Sequence, residues 1–269
     1  MEAEGLTDVQ KPLLRESESL FPAADVRALT MLVRRVARRG MRVAEVGSWV
    51  GTGSTQVFLA ELSAIPEATL TCIDTWHGNA NHAGMQETDA KYDLFGTFLA
   101  NIESARAKTA VIPIRAESLA AAAQIADATY DLVFIDADHS YAGASGDIKA
   151  WLPKVRPGGV LCGHDCEARP TQTTRPLFEE SKSLDTIRIA GARFLDFHPG
   201  VILAVDEAFA GAASLFAEDK LPPDQVAIGL SSIWHVTLAP SRLRHLLTKA
   251  RTLLSIFKFP KSDRFAPPS

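Results

Sequence analysis

Cysteine is scarce. Cys72, Cys162 and Cys166 are the only three in 269 residues, too few and too scattered for a disulfide framework, which makes a reducing compartment the expectation. No run of 18 apolar residues occurs, so no segment reads as a membrane span. The opening M-E-A-E-G-L-T-D is acidic and lacks the apolar core of a signal peptide. An excess of positive charge is also missing. Lys plus Arg number 28 against 32 Asp plus Glu, a net charge of −4, without the basic footprint of a nucleic-acid binder. No internal repeat is visible. What remains is an ordinary globular composition, 46% hydrophobic and 22% charged, long enough for one elaborated α/β domain with a large core. The expectation is a soluble cytoplasmic protein.

Residues 1–21 are polar and without clear period, and read as a mobile arm. Pro22 to Arg39 reads as a helix, with Val26, Leu29, Leu32, Val33 and Val36 on one face and Gly40 ending it. Short apolar runs then alternate with helical patterns. Arg42–Val46, Thr69–Ile73, Ala110–Ile114, Leu132–Ile135 and Gly159–Gly163 read as buried strands of a parallel, doubly wound sheet. Gln225–Leu230 and Ile233–Leu238, separated by Ser231 and Ser232, read as a hairpin, which makes one of them antiparallel. Residues 167–198 interrupt the alternation before a helix over Pro199–Ala210. Such an insertion at a strand's carboxyl end reads as a lid or substrate wall, or as a surface elaboration.

The strongest local signal is E-V-G-S-W-V-G-T-G-S, Glu45 to Ser54, at a strand-to-helix turn. Glycines there let backbone approach a ligand closely. The spacing is neither the G-x-G-x-x-G of dinucleotide binders nor a Walker loop. Four further elements follow in order. Asp74 ends the second strand in T-C-I-D-T-W, where a carboxylate can accept from both ribose hydroxyls. I-R-A-E-S follows the third strand. Y-D-L-V-F-I-D-A-D-H-S-Y runs to Asp136, Asp138 and His139, and P-G-G-V-L-C-G-H-D ends at His164 and Asp165.

In this order and spacing the chain resembles the class I S-adenosylmethionine-dependent methyltransferases over roughly Val26 to Leu238. Within them it is similar to the small-molecule O-methyltransferases of the macrolide-sugar type. The resemblance implies a Rossmann-like α/β fold, a seven-stranded sheet of order 3-2-1-4-5-7-6 with the last strand antiparallel. It implies that Gly47, Ser48, Gly51 and Gly53 cradle the methionine part of S-adenosyl-L-methionine and that Glu45 supports the loop or the amino group. By the same resemblance Asp74 holds the ribose, Ala116 and Glu117 border the adenine, and Asp136 adjoins the cofactor. Trp76 stands either beside the adenine or in the core.

Relatives in this family bind Mg²⁺ at positions that correspond here to Asp136, His164 and Asp165. His164 departs from the pattern, because Mg²⁺ prefers oxygen. Mg²⁺, Mn²⁺ or a softer ion, and no metal at all, all stay open. His139 stands where relatives carry a proton acceptor, and an imidazole suits that task near neutral pH. His77, His82, His198, His235 and His245 form no spacing with metal-ligand meaning. The expected reaction is methyl transfer to a hydroxyl of a small molecule, a sugar or secondary metabolite, with metal assistance as one option. Metal-free transfer to nitrogen or carboxylate and an NAD-binding Rossmann oxidoreductase are the alternatives. Arg169, Arg175, Arg188 and Arg193 in the insertion suggest an acidic acceptor.

From Arg242 onward seven basic residues face one acid, leaving 21 basic against 31 acidic before it. Residues 241–259 present Leu243, Leu246, Leu247, Ala250, Leu253, Leu254 and Phe257 as one stripe. This basic amphipathic segment suits either a peripheral membrane contact or packing on the protein or on a second subunit in a homo-oligomer.

Overall fold

The computed structural model describes residues 21–78, 93–106, 108–218 and 230–240. The chain divides at residue 238; the arm over 1–20 and the basic segment from 241 onward lie outside the described residues, as do His82, His245 and residues 225–229.

The first unit is built on seven strands in the order β3-β2-β1-β4-β5-β7-β6: β1 (Arg42–Val46), β2 (Thr69–Asp74), β3 (Ala110–Arg115), β4 (Tyr130–Ile135), β5 (Val155–Gly163), β6 (Ser214–Leu215) and β7 (Trp234–Thr237). Strands β1 to β5 are parallel, and β7 runs antiparallel to both β5 and β6. The expected order and the antiparallel strand are both present. So is the reason for parallel pairing: β4 is buried along its whole length, as a strand covered on both faces must be. The hairpin reading needs correction. The strand beside β7 is Ser214–Leu215, and Ser231–Ser232 form no tight turn. The backbone N–H of Ser232 donates to Asp25 at 3.0 Å, and its hydroxyl accepts from the N–H of Asp165 at 3.3 Å.

Helices α1 (Ala23–Val36), α2 (Gly53–Leu62) and α3 (Leu94–Arg106) accompany the first strands. Helices α4 (Ser118–Gln124), α5 (Tyr141–Trp151), α6 (Arg175–Ser181) and α7 (Pro199–Phe209) follow. Side-chain alternation along the strands splits the core in two. Val43, Leu70, Leu132 and Phe134 pack with Leu29, Phe58 and Phe98, while Ala44, Ile73, Val133 and Ile135 pack with Ile148, Trp151 and Ile202. The face of α1 also differs from the expected stripe. Val26 is 39% exposed, whereas Asp25 is buried with Ala28, Leu29, Leu32 and Val36. The helix stops at Val36 rather than Arg39, because Ala37 turns to an extended ψ of 131° and Arg38 reaches Asp131 at 2.6 Å.

Register fixes where chemistry can occur. Val46 pairs with Ile135 and Ile135 with Gly163, so the residues that follow, Gly47, Asp136 and His164, leave the sheet side by side. The strand order reverses between β1 and β4, and the crevice outside the carboxyl ends at such a switch point is the ligand site of open α/β sheets.

Candidate functional site

The glycine loop between β1 and α2 is held from below and from both sides. Glu45 is fully buried and accepts hydroxyl hydrogen bonds from Ser54 at 2.6 Å and Thr55 at 2.7 Å. Burial pushes its carboxyl up to about 7, against the pull of those donors. It supports the loop from beneath and does not line the crevice. Asn101 donates to the Val50 carbonyl at 2.7 Å and Gln56 to the Gly51 carbonyl at 2.6 Å. Ser48 is buried. Gly47 has φ +88°, and a Cβ there would lie 1.8 Å from the Asp136 carbonyl oxygen. Gly51 has φ +73° and abuts Phe98, while Gly53 faces Phe21.

Asp74 joins two turns. Its carboxylate accepts the N–H of Trp49 at 2.8 Å and of Trp76 at 2.7 Å, one on each oxygen, and the backbone N–H groups of Thr75 and Ser48 also act on it. Burial raises its carboxyl above the usual value, opposed by those backbone donors. Trp76 belongs to the core. It is fully buried, packs on Phe95 and Phe98 at 4.7 and 4.8 Å between ring centroids, and donates its indole N–H to the Trp49 carbonyl at 2.6 Å. Ala116 donates its N–H to the Asp74 carbonyl at 3.0 Å, and Glu117 is exposed at the start of α4. Ala116 thus sits beside the end of β2.

Beside the loop, Asp136, Asp138, His139 and His164 line a recess. His139 Nε2 lies 3.1 Å from Asp165 and 3.7 Å from Asp136, and its Nδ1 is 2.8 Å from Asp185. His164 Nδ1 lies 2.9 Å from Asp165 and 3.9 Å from Asp136, with Nε2 3.1 Å from Asp25. His198 joins them, its Nδ1 2.7 Å from Glu167 and 3.5 Å from Asp165. Asp165 is the hub and adopts φ +62°, an unusual conformation for a residue with a side chain. Burial alone would lower the histidines. The carboxylates together outweigh it: Asp165 with Asp136 and Asp185 on His139, Asp165 with Asp136 and Asp25 on His164, and Asp165 with Glu167 on His198. All three sit above the ordinary imidazole value, those of His139 and His164 well above it. The same imidazoles overcome the burial penalty on Asp165 and drive its carboxyl well below the usual range.

Four members of this cluster, Asp25, Glu167, Asp185 and His198, were not among the expected site residues. His198, to which spacing gives no metal-ligand meaning, caps the start of α7 and meets Asp165 at the end of β5. Asp25 alone had a legible signal: it falls on the apolar face of α1, three and four residues before Ala28 and Leu29. The insertion over 167–198 contributes to both core and recess. Phe178 and Phe197 bury in the core, and Asp185 reaches His139. Arg169 is bonded to Glu218, Arg175 to Asp206 and Arg188 to Asp196, so these three arginines are already matched by acids. His77 and Arg193 are exposed, and His235 lies on β7 against Phe216.

Comparison with known proteins places this geometry. Residues 44–166 match the family model described as a methyltransferase domain. The uncharacterized protein y4gI of Sinorhizobium fredii (strain NBRC 101917 / NGR234) is 28% identical over 134 residues, 49% of this chain and 14% of that protein. The chain thus spans only a small part of that relative's length. Among solved structures, the O-methyltransferase NovP aligns at a TM-score of 0.52 with 15% identity, covering 80% of this chain and 79% of that one. The CurJ carbon methyltransferase aligns at 0.50 with 11% identity, covering 89% and 61%. At such identities these likenesses speak for the fold. Five motifs in order and the β3-β2-β1-β4-β5-β7-β6 sheet accompany the match of residues 44–166 to a methyltransferase domain.

Proposed function

We propose that the chain transfers the methyl group of S-adenosylmethionine to a hydroxyl of a neutral small molecule, a sugar or secondary metabolite, in the recess at the ends of β4 and β5. The observation that carries this reading is the contact between Gly47 and the Asp136 backbone. It sets the cofactor loop directly against the residues fit for proton chemistry. The NAD alternative lacks support in both the loop spacing and the sheet, whose antiparallel β7 departs from the dinucleotide-binding order. Pairing of Arg169, Arg175 and Arg188 with acids favours a neutral acceptor over an anionic one.

The reaction forms an O–CH3 bond, breaks the S–CH3 bond in line and leaves S-adenosylhomocysteine, so alignment of the two ligands supplies much of the rate. The acceptor's proton passes to His139 Nε2, the nitrogen that faces the recess, while Asp185 holds Nδ1 and sets the ring. That step needs a neutral imidazole, whereas Asp136 and Asp165 keep it protonated. Asp136, His164 and Asp165 offer ligand atoms within 4.8 Å of one another, and Asp25 braces the outer nitrogen of His164 as carboxylates brace ligating histidines. This mixed set fits a divalent ion that accepts nitrogen, such as Mn²⁺, better than Mg²⁺. When bound, such an ion supplies charge that offsets those two carboxylates and acidifies the hydroxyl.

The test is a methyl-transfer screen over hydroxylated acceptors with and without EDTA. His139→Ala is expected to lower turnover by about 10²–10⁴-fold while S-adenosylhomocysteine affinity by calorimetry stays nearly unchanged. Full activity in that variant would remove His139 from the proton path.

A further inference from the structure

We propose that His139, Asp165 and His198 form a second cation site, selective for a nitrogen-accepting divalent ion of the zinc kind, whose occupation shuts the methyl-transfer centre. The three come from separate elements, the loop after β4, the end of β5 and the residue preceding α7, yet their ligand atoms all lie within 4.8 Å of one another. The two imidazole rings meet edge to face at 4.8 Å and 76°. Each has a carboxylate of its own. Asp185 lies 2.8 Å from His139 Nδ1, which turns Nε2 toward Asp165. Glu167 lies 2.7 Å from His198 Nδ1 and also accepts the His198 backbone N–H at 3.1 Å. Asp185 stands on the nitrogen of His139 opposite Asp165, and a carboxylate in that outer position sets tautomer and ring orientation of a ligating histidine, its loss typically weakening metal binding 10–100-fold; Glu167 shares His198 Nδ1 with Asp165, at 2.7 and 3.5 Å, and so borders the site itself.

Two imidazoles and one carboxylate are a donor set for Zn²⁺, Co²⁺ or Fe²⁺ and a poor one for Mg²⁺. Charge balance points the same way. Around three imidazoles stand five carboxylates, those of Asp25, Asp136, Asp165, Glu167 and Asp185, a concentration that favours cations over further neutral groups.

The consequence for activity rests on the proposed methyl transfer. An ion on this trio occupies His139 Nε2, the proton acceptor, and draws Asp165 away from Asp136 and His164. Binding itself does not depend on that reading.

The experiment titrates Zn²⁺ into the chelator-stripped full chain by calorimetry, with Co²⁺ absorbance reporting nitrogen ligation. His198→Ala, shown folded by circular dichroism, is expected to lose at least about tenfold in zinc affinity, and Glu167→Gln to weaken it in the same direction. Asp136→Asn is expected to keep the zinc. Zinc should inhibit methyl transfer by the wild type and do so far less in His198→Ala, each measured against its own zinc-free rate. The proposal falls if the wild type binds no zinc, or if His198→Ala binds it undiminished while Asp136→Asn loses it. Should no acceptor be methylated, the proposed activity fails while the zinc affinities still decide the site.

Discussion

Two glycines with similar φ carry opposite consequences. At Gly47, φ is +88° and an added Cβ would meet the Asp136 carbonyl at 1.8 Å; at Gly158, φ is +82° and nothing lies within 4 Å. Gly47 sits where β1 is bonded to β2 on one side and β4 on the other, its N–H on the Ile73 carbonyl and the Asp136 N–H on that of Val46, both at 2.8 Å. No flexible side chain can move aside. Gly47→Ala is therefore expected to destabilise by about 3 kcal/mol or more and to abolish S-adenosylhomocysteine binding. Gly158→Ala is expected to cost only about 1–2 kcal/mol, for the backbone conformation. Denaturant melts of both variants check the contrast, and equal losses would contradict it. Trp76 teaches the complementary lesson, since an indole suits adenine stacking and core packing equally. Neighbours from α3, far along the chain, settle it as core.

At the scale of elements, α1 does more than cover the sheet. Asp25, buried on its inner face, accepts from the Ser232 N–H and stands against His164 Nε2, so one carboxylate joins the helix, the segment before β7 and the end of β5. Asp25→Ala leaves a buried N–H unmatched and His164 unbraced, and is expected to cost about 2–4 kcal/mol. Asp25→Asn keeps a carbonyl acceptor and should cost less. Thermal melts with and without Mn²⁺ give the check; an Asp25→Ala protein as stable as wild type would show that α1 docks by apolar contact alone. The course of α1 was legible from its period, though its end at Val36 was not. Its inner face was legible only in part: the period sets Asp25 in line with Ala28 and Leu29, but nothing local shows what the carboxylate meets there.

Across the whole molecule the titrating groups act in one direction above neutrality. His139, His164 and His198 have raised values in the folded chain, so the stability they contribute is fully present below about pH 6.5 and is lost as pH rises through the folded values. Glu45, raised to about 7, likewise loses its favourable protonated state as pH climbs to that point. Asp165 is lowered, so its contribution is present above the ordinary aspartate range and fails only in strong acid. The chelated protein is expected to melt at its highest temperature in mildly acidic solution and at progressively lower temperatures from about pH 6.5 upward. A divalent ion should flatten that decline by replacing protons within the cluster. Scanning fluorimetry in EDTA from mildly acidic to mildly alkaline buffer tests this, and a melting temperature that rises across that range would refute it. Among the described residues no helix is long and apolar enough to cross a membrane.

The sequence by itself determined the strands β1 to β5, their parallel pairing and the glycine loop, with Asp74 and Asp136 just past strand ends; the reversal point of the sheet came from the family resemblance. All but that reversal are local properties: an apolar run of strand length, a glycine at a forced turn and a carboxylate just past a strand end are all visible in a few adjacent residues. Tertiary structure alone decided that Ser214–Leu215 borders β7, that three insertion arginines are spent on internal acids, and that Asp25, Glu167, Asp185 and His198 gather around His139, His164 and Asp165. Those partners lie from tens to more than a hundred residues apart. Spacing constrains side chains within one turn or one strand, whereas their meeting depends on where each helix lands on the sheet, which only the packing of both core halves determines.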